Sequence, residues 1–247
     1  VKRERILKTA LVTGATSAIG LKICHMLARQ GYFIYLHYNT NEDRAFKLQE
    51  ELEKSYKIKS VPIKADLSSE EGTEKLISQV SSSVHVFIYN CGAPHYGLLT
   101  DFTEKSIQST IQLNLTSAIS LTKALVPVMI QKKSGKIVMI SSVWGEVGAA
   151  CETVYSAAKG GLNTFVKAIS KELAPSNIQV NSVSPGVIST PMMEQFSVSE
   201  KREIAEDIPA GRFGEPEEVA HAVEFLISDK SNYVSGHILS VNGSWFT

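Results

Sequence analysis

Short apolar runs alternate with longer amphipathic segments along the chain. The strand-like runs are Ala10 to Thr13, Phe33 to His37, Ser60 to Ile63, Val86 to Tyr89, Lys136 to Ser141, Gln179 to Val183 and Ile238 to Val241. Few polar residues interrupt them, so each strand is expected to be buried on both faces, as happens in a parallel sheet covered by helices. The pattern predicts a doubly wound α/β fold with helices on both faces of one sheet.

Between the strands the period changes from two to about 3.6. From Val154 to Leu173, the residues Val154, Ala158, Leu162, Phe165, Val166, Ile169 and Leu173 form one apolar stripe. A second long helix is expected from about Glu104 to Ile130, with Ile107, Ile111, Leu115 and Ala118 facing inward. The stretch from Pro191 to Arg212, rich in Met, Glu and Ser, breaks the alternation before a last helix starting near Pro216, and a mobile lid is expected there. No repeat or Pro/Gly-rich linker divides the 247 residues, so residues 1–247 are expected to form a single domain.

Composition narrows the function classes. With 43% apolar and 20% charged residues the chain can bury a sizeable core. Lys plus Arg and Asp plus Glu both number 25, so the net charge is zero and no basic field draws nucleic acid or an anionic membrane. Val1 to Lys8 carry scattered charges without an apolar core, and no stretch reaches the ~18 uninterrupted apolar residues of a spanning helix, so a cytoplasmic protein is expected. Cys24, Cys91 and Cys151 have neither metal-like spacing nor even number, which fits a reducing compartment and no metal site.

The chemistry is concentrated at a few places. Thr13-Gly14-Ala15-Thr16-Ser17-Ala18-Ile19-Gly20 follows the first strand and opens a helix near Ile19. Gly14 permits a sharp turn, Ala18 lets a pyrophosphate approach the backbone, and Gly20 lets the helix pack closely. By itself such a turn reads equally as ordinary strand-to-helix punctuation. The second strand ends in His37-Tyr38-Asn39-Thr40, without the acid that grips an adenosine 2′-hydroxyl, so NADP(H) is favoured over NAD(H). Ser17, Asn39, Thr40 and Arg44 are the candidate donors to a 2′-phosphate. Tyr155 and Lys159 stand four apart, on one helix face, where the ammonium is expected to lower the phenol from its usual ~10. Ser141 and Ser142 end the fifth strand, at the sheet edge where such folds bind ligands, and Asn114 sits between Leu113 and Leu115, a poor place for an amide without partners.

Taken together, these residues resemble the short-chain dehydrogenase/reductase family over almost the whole chain. The resemblance implies a Rossmann-like fold with Tyr155 as general acid, Lys159 lowering its pKa and holding ribose hydroxyls, Ser142 bonded to the substrate oxygen, and Asn114 in a water-linked proton relay. It further implies cofactor contacts from Gly14, Thr16, Ser17 and Ile19, from Asp66 and Leu67 at the adenine, and from Asn90. Pro185, Gly186, Ile188 and Thr190 would meet the nicotinamide amide. Cys91 replaces the family's small alanine, and Val241-Asn242-Gly243-Ser244 replaces its acidic double-glycine ending. A homodimer or homotetramer, built from the two long helices and the last strand, is implied as well.

For the substrate, the chain is similar to 3-oxoacyl-[acyl-carrier-protein] reductases, although Ser176 stands where that group has an arginine; Lys132 and Lys133 would then help dock an acidic carrier. It resembles more closely a Bacillus-type subgroup described as reducing a 5-aminopentanone group on a lysine of elongation factor P, on the strength of His37 to Asn41, Ser142 to Glu152 and Ser240 to Trp245. Such a substrate is cationic, and Glu146 and Glu152 are candidates to hold its ammonium, though each also reads as a solvated surface charge. His95, Trp144 and Met192 are expected near the substrate, with Met193 and Phe196 either closing over it or packing the lid. A non-catalytic NADP-binding regulator is the alternative from another class.

Overall fold

The computed structural model describes residues 8–80 and 83–246, the Met192 and Gln195 side chains excepted. The expected charged start therefore falls largely outside the described residues. Seven strands form one sheet: β1 (Thr9–Val12), β2 (Phe33–Tyr38), β3 (Ser60–Lys64), β4 (Val86–Tyr89), β5 (Gly135–Ile140), β6 (Ile178–Pro185) and β7 (Ile238–Val241). Their order is β3-β2-β1-β4-β5-β6-β7, and every pairing is parallel. Between β1 and β4 the direction of winding reverses, which opens a crevice at the carboxyl ends of those strands.

Successive strand residues serve opposite faces, which is why the apolar runs are unbroken. Ala10, Val12, Ile34, Leu36, Val86, Ile88, Val138 and Ile140 join one core with α1 (Ala18–Arg29), α2 (Glu42–Tyr56) and α9 (Pro216–Ile227). Leu11, Tyr35, Phe87, Tyr89, Ile137 and Met139 join the other, under α3 (Glu70–Gln79), α5 (Ser117–Lys132) and α7 (Thr153–Leu173). The helix starts are marked chemically: Ser17, Asn41 and Ser69 each accept an amide hydrogen bond as the N-cap of α1, α2 and α3.

The expected helix from Glu104 to Ile130 is corrected in its middle. α4 (Glu104–Ile111) passes into a π-helical turn at Gln112–Thr116 before α5 begins. The wider turn shifts the phase of the two halves, so Ala118 is fully buried while Ile111, expected to face inward, is 37% exposed. The run Glu104–Lys132 is long and apolar enough to cross a membrane by length and composition, yet it packs along the sheet against α3 and α7. After β5 come α6 (Trp144–Val147) and α7; after β6, the 191–212 stretch holds a short 3₁₀ turn and α8 (Val198–Asp207), which has no buried residue.

Candidate active site

The crevice above β1, β4, β5 and β6 holds a cavity of about 420 Å³. Its walls include Ser17, Ala18, Ile19, Arg44, Asn90, Gly92, Ser142, Trp144, Glu152, Tyr155 and Lys159, with Pro185, Gly186, Ile188 and Thr190 along the β6 side. These residues come from the starts of α1, α2 and α6, the ends of β4, β5 and β6, and the first turns of α7. A parallel sheet gathers such strand ends on one edge.

The glycine-rich turn is built by its neighbours. Gly14 has φ of +62°, a left-handed backbone conformation, and a Cβ on Gly20 would lie 2.1 Å from the Gly14 carbonyl oxygen. Asn90 Nδ2 donates to the carbonyl oxygens of Thr13 (3.1 Å) and Gly14 (3.0 Å) and to Ser17 Oγ (3.0 Å). Thr13 Oγ1 in turn accepts from the amides of Asn90 and Cys91. The result is an open N-terminus of α1 facing the cavity, which suits a phosphate group.

At the other end, the Tyr155 hydroxyl is hydrogen-bonded to the Ser142 side chain. Lys159 Nζ donates to the Ile140 carbonyl oxygen at 2.9 Å and lies 5.6 Å from the centre of the Tyr155 ring. Burial pushes the Tyr155 phenol above its usual range, and the Ser142 hydrogen bond opposes this in part. Lys159 is itself held down to about 8 by burial. Asn114, brought inward by the π turn, donates to Ala93 O (3.1 Å) and Thr110 O (2.9 Å). Among the described residues its buried Oδ1 has no partner. A Cβ on Gly92 would lie 2.9 Å from both Asn114 Oδ1 and Lys159 Nζ, so the glycine leaves the two groups facing one another.

The carboxylates expected to meet substrate part company. Glu152 is 6% exposed, lines the cavity, and receives side-chain hydrogen bonds from Tyr96 and Trp144. Burial raises its pKa and those two bonds lower it. Glu146 is corrected: it is exposed, outside the cavity wall, 3.5 Å from Ser240 Oγ, because the α6 turn points it away. His95 is exposed on the loop between the wall residues Pro94 and Tyr96, set edge-on against Phe102 at 4.9 Å. Met193 lines the cavity; the Met192 side chain lies outside the described residues. Trp144 packs against Trp245 and Phe246 at 5.1 and 5.8 Å.

Several expected cofactor contacts also stand apart from this cavity. Thr16, Asn39, Thr40 and Asp66 are not in its wall; Asn39 Nδ2 donates to Asp66 Oδ1 at 3.3 Å. Leu67 places its side chain in the core, 1% exposed, and its carbonyl accepts from Ser117 Oγ, which leaves its backbone amide beside Asp66 as the group that could meet an adenine. Arg44, four residues beyond Thr40, reaches the wall from the first turn of α2. No local pattern singles out Gly92 or Tyr96, whose relevance depends on loops meeting helices remote along the chain.

The chain belongs to the short-chain dehydrogenase/reductase family of oxidoreductases, and its fold is that family's. The matching family model, described as enoyl-(acyl carrier protein) reductase, covers residues 14–244. Among individual relatives, the chain is 48% identical over 238 residues to the Bacillus subtilis (strain 168) protein named uncharacterized oxidoreductase YmfI, covering 96% of this chain and 98% of that one. It is 36% identical over 242 residues to the 3-oxoacyl-[acyl-carrier-protein] reductase FabG of Aquifex aeolicus (strain VF5), covering 97% of each. The crystal structure of a 3-oxoacyl-[acyl-carrier protein] reductase from Brucella melitensis superposes with a TM-score of 0.90 at 26% identity, over 97% of this chain and 92% of that one.

Proposed function

We propose that the chain is an NADP(H)-dependent ketoreductase that reduces a substrate carbonyl to an alcohol. The observation that carries this reading is the meeting of Ser142, Tyr155 and Lys159 in one cavity with the open N-terminus of α1. The residues fit a dinucleotide: Ser17, Ala18 and Ile19 would receive the pyrophosphate, Arg44 a 2′-phosphate, and Lys159, Ile188 and Thr190 the nicotinamide riboside. Such a cofactor supplies hydride to the carbonyl carbon. Ser142 orients the carbonyl oxygen, and Tyr155 gives it the proton that completes the alcohol. At neutral pH the phenol is protonated, and its hydrogen bond to Ser142 opposes the upward push of burial that would weaken it as a donor. Asn114 Oδ1, facing Lys159 across Gly92, is placed to hold a water between them and so return a proton toward Tyr155.

Glu152 supports a cationic substrate. A carboxylate in the cavity wall attracts an ammonium, and it repels an acidic carrier. The 5-aminopentanone group on a lysine of elongation factor P is therefore the substrate we propose. The names of the Aquifex and Brucella relatives favour a second reading, a 3-oxoacyl group on acyl carrier protein.

Steady-state assays with NADPH and NADH separate these readings. Tyr155→Phe should lose nearly all turnover and keep NADPH binding, because it removes a proton donor without removing a wall. Glu152→Gln should raise KM for an aminoketone by about tenfold or more and leave a neutral ketone of the same size little changed. Equal effects on both ketones, with efficient reduction of 3-oxoacyl carrier protein, would replace the cationic substrate with the acyl one. Retained turnover in Tyr155→Phe would end the ketoreductase reading.

A further inference from the structure

His37, 1% exposed near the end of β2, is a titratable group that the chemistry above leaves unused. Both of its ring nitrogens are engaged: Nδ1 lies 3.1 Å from the Gly14 amide nitrogen and Nε2 lies 3.1 Å from the Ala65 carbonyl oxygen. A backbone amide only donates and a carbonyl only accepts, so the imidazole is neutral and carries its proton on Nε2. Its own backbone adds to the grip, for the Ala15 amide donates to the His37 carbonyl at 2.9 Å. Gly14 is thus held on two sides, its N–H by His37 and its carbonyl by Asn90.

We propose that His37 is a positioning residue for the dinucleotide: its neutral ring fixes the Gly14–Ser17 turn in the shape that receives the pyrophosphate, and protonation of that ring releases the turn. A proton on Nδ1 would set one N–H against another and leave the Gly14 amide without its acceptor. The charged and titratable groups facing the ring are Asp66, after β3, and Cys91, after β4, whose Sγ lies 3.6 Å from Nδ1. Cys91 is held neutral by burial, which pushes its thiol up to about 12. Burial holds His37 down to about 4, outweighing the Ala65 carbonyl and Asp66, both of which favour the imidazolium. At neutral pH the turn is therefore locked.

This inference rests on the dinucleotide reading, so its test has one arm that needs no cofactor. In the full chain, His37→Leu keeps bulk but removes both hydrogen bonds, whereas His37→Asn keeps an acceptor beside Gly14. Amide exchange of Gly14 should accelerate about tenfold or more in His37→Leu, with Leu11 and Phe87 unchanged, and should recover in His37→Asn. NADPH should bind about tenfold more weakly to His37→Leu, raising its KM while kcat and the ketone KM stay near wild type, again with recovery in His37→Asn. In the wild-type chain, Gly14 protection should hold from pH 7 downward and fall as the pH drops through about 4. Unchanged Gly14 exchange and NADPH affinity in His37→Leu would overturn the proposal. If that variant does not fold, an imidazolium at His37 coexisting with full Gly14 protection in the wild-type nitrogen-15 spectrum would overturn it equally. Failure of the wild-type chain to bind NADPH or NADH overturns the cofactor reading instead, and Gly14 exchange still decides whether His37 holds the turn.

Discussion

Gly92 measures how little room the site leaves between its polar groups. A methyl group there would come within 2.9 Å of Asn114 Oδ1 and Lys159 Nζ, where neither partner can withdraw easily: Asn114 is tied to Thr110 and Ala93, and Lys159 to Ile140. We expect Gly92→Ala to lower kcat by about tenfold or more, in the range typical of damaged proton transfer, and to lower Tm as well, because the methyl group overpacks the site. Single-turnover kinetics and a thermal melt check both halves; an unimpaired kcat would remove the Asn114 to Lys159 relay. At this scale the sequence identified Asn114, Ser142, Tyr155 and Lys159 through a pattern of residue types. Gly92 and His37 carried no such signal, because their significance lies in which atoms stand a hydrogen bond away.

Helical period revealed α7 and the start of α9 closely, since each has a continuous apolar stripe on a core. It failed at Gln112–Thr116, where the π turn preserves hydrophobic composition while changing its phase. The stretch after β6 illustrates the opposite case. α8 has a capping box at Ser197 and Glu200 but contributes no buried side chain, so local hydrogen bonds rather than a core hold it. Arg212 pairs with Glu218 through two oxygens and tethers the far end of this stretch to α9. We propose that the segment is a lid hinged there, and expect limited proteolysis to cut within residues 191–207 first, with NADPH and a ketone together slowing that cut. Cleavage elsewhere first, or no protection by ligands, would argue against a lid.

In the molecule as a whole, the apolar side chains of Ile111, Ile119, Val128 and Ile130 are 37–43% exposed along α4 and α5. Exposed apolar surface marks an association face where it is contiguous. We propose a homodimer or homotetramer formed through these helices. Light scattering of the purified chain should give a multiple of 27.0 kDa, and Ile119→Glu should shift the mass toward one chain by burying a charge in the contact. A wild-type monomer at micromolar concentration would exclude that face as a stable interface.

The sequence by itself determined the alternation of strands and helices, the parallel sheet, the phosphate-suited turn and the tyrosine–lysine pair. These follow from periods of a few residues, which local stereochemistry enforces. Only the tertiary structure decided that Glu152 turns into the cavity while Glu146 turns out, that Arg44 reaches the wall, and that burial pushes the Tyr155 phenol up. Those outcomes depend on distance and desolvation between segments far apart in the chain, and spacing along a sequence fixes neither.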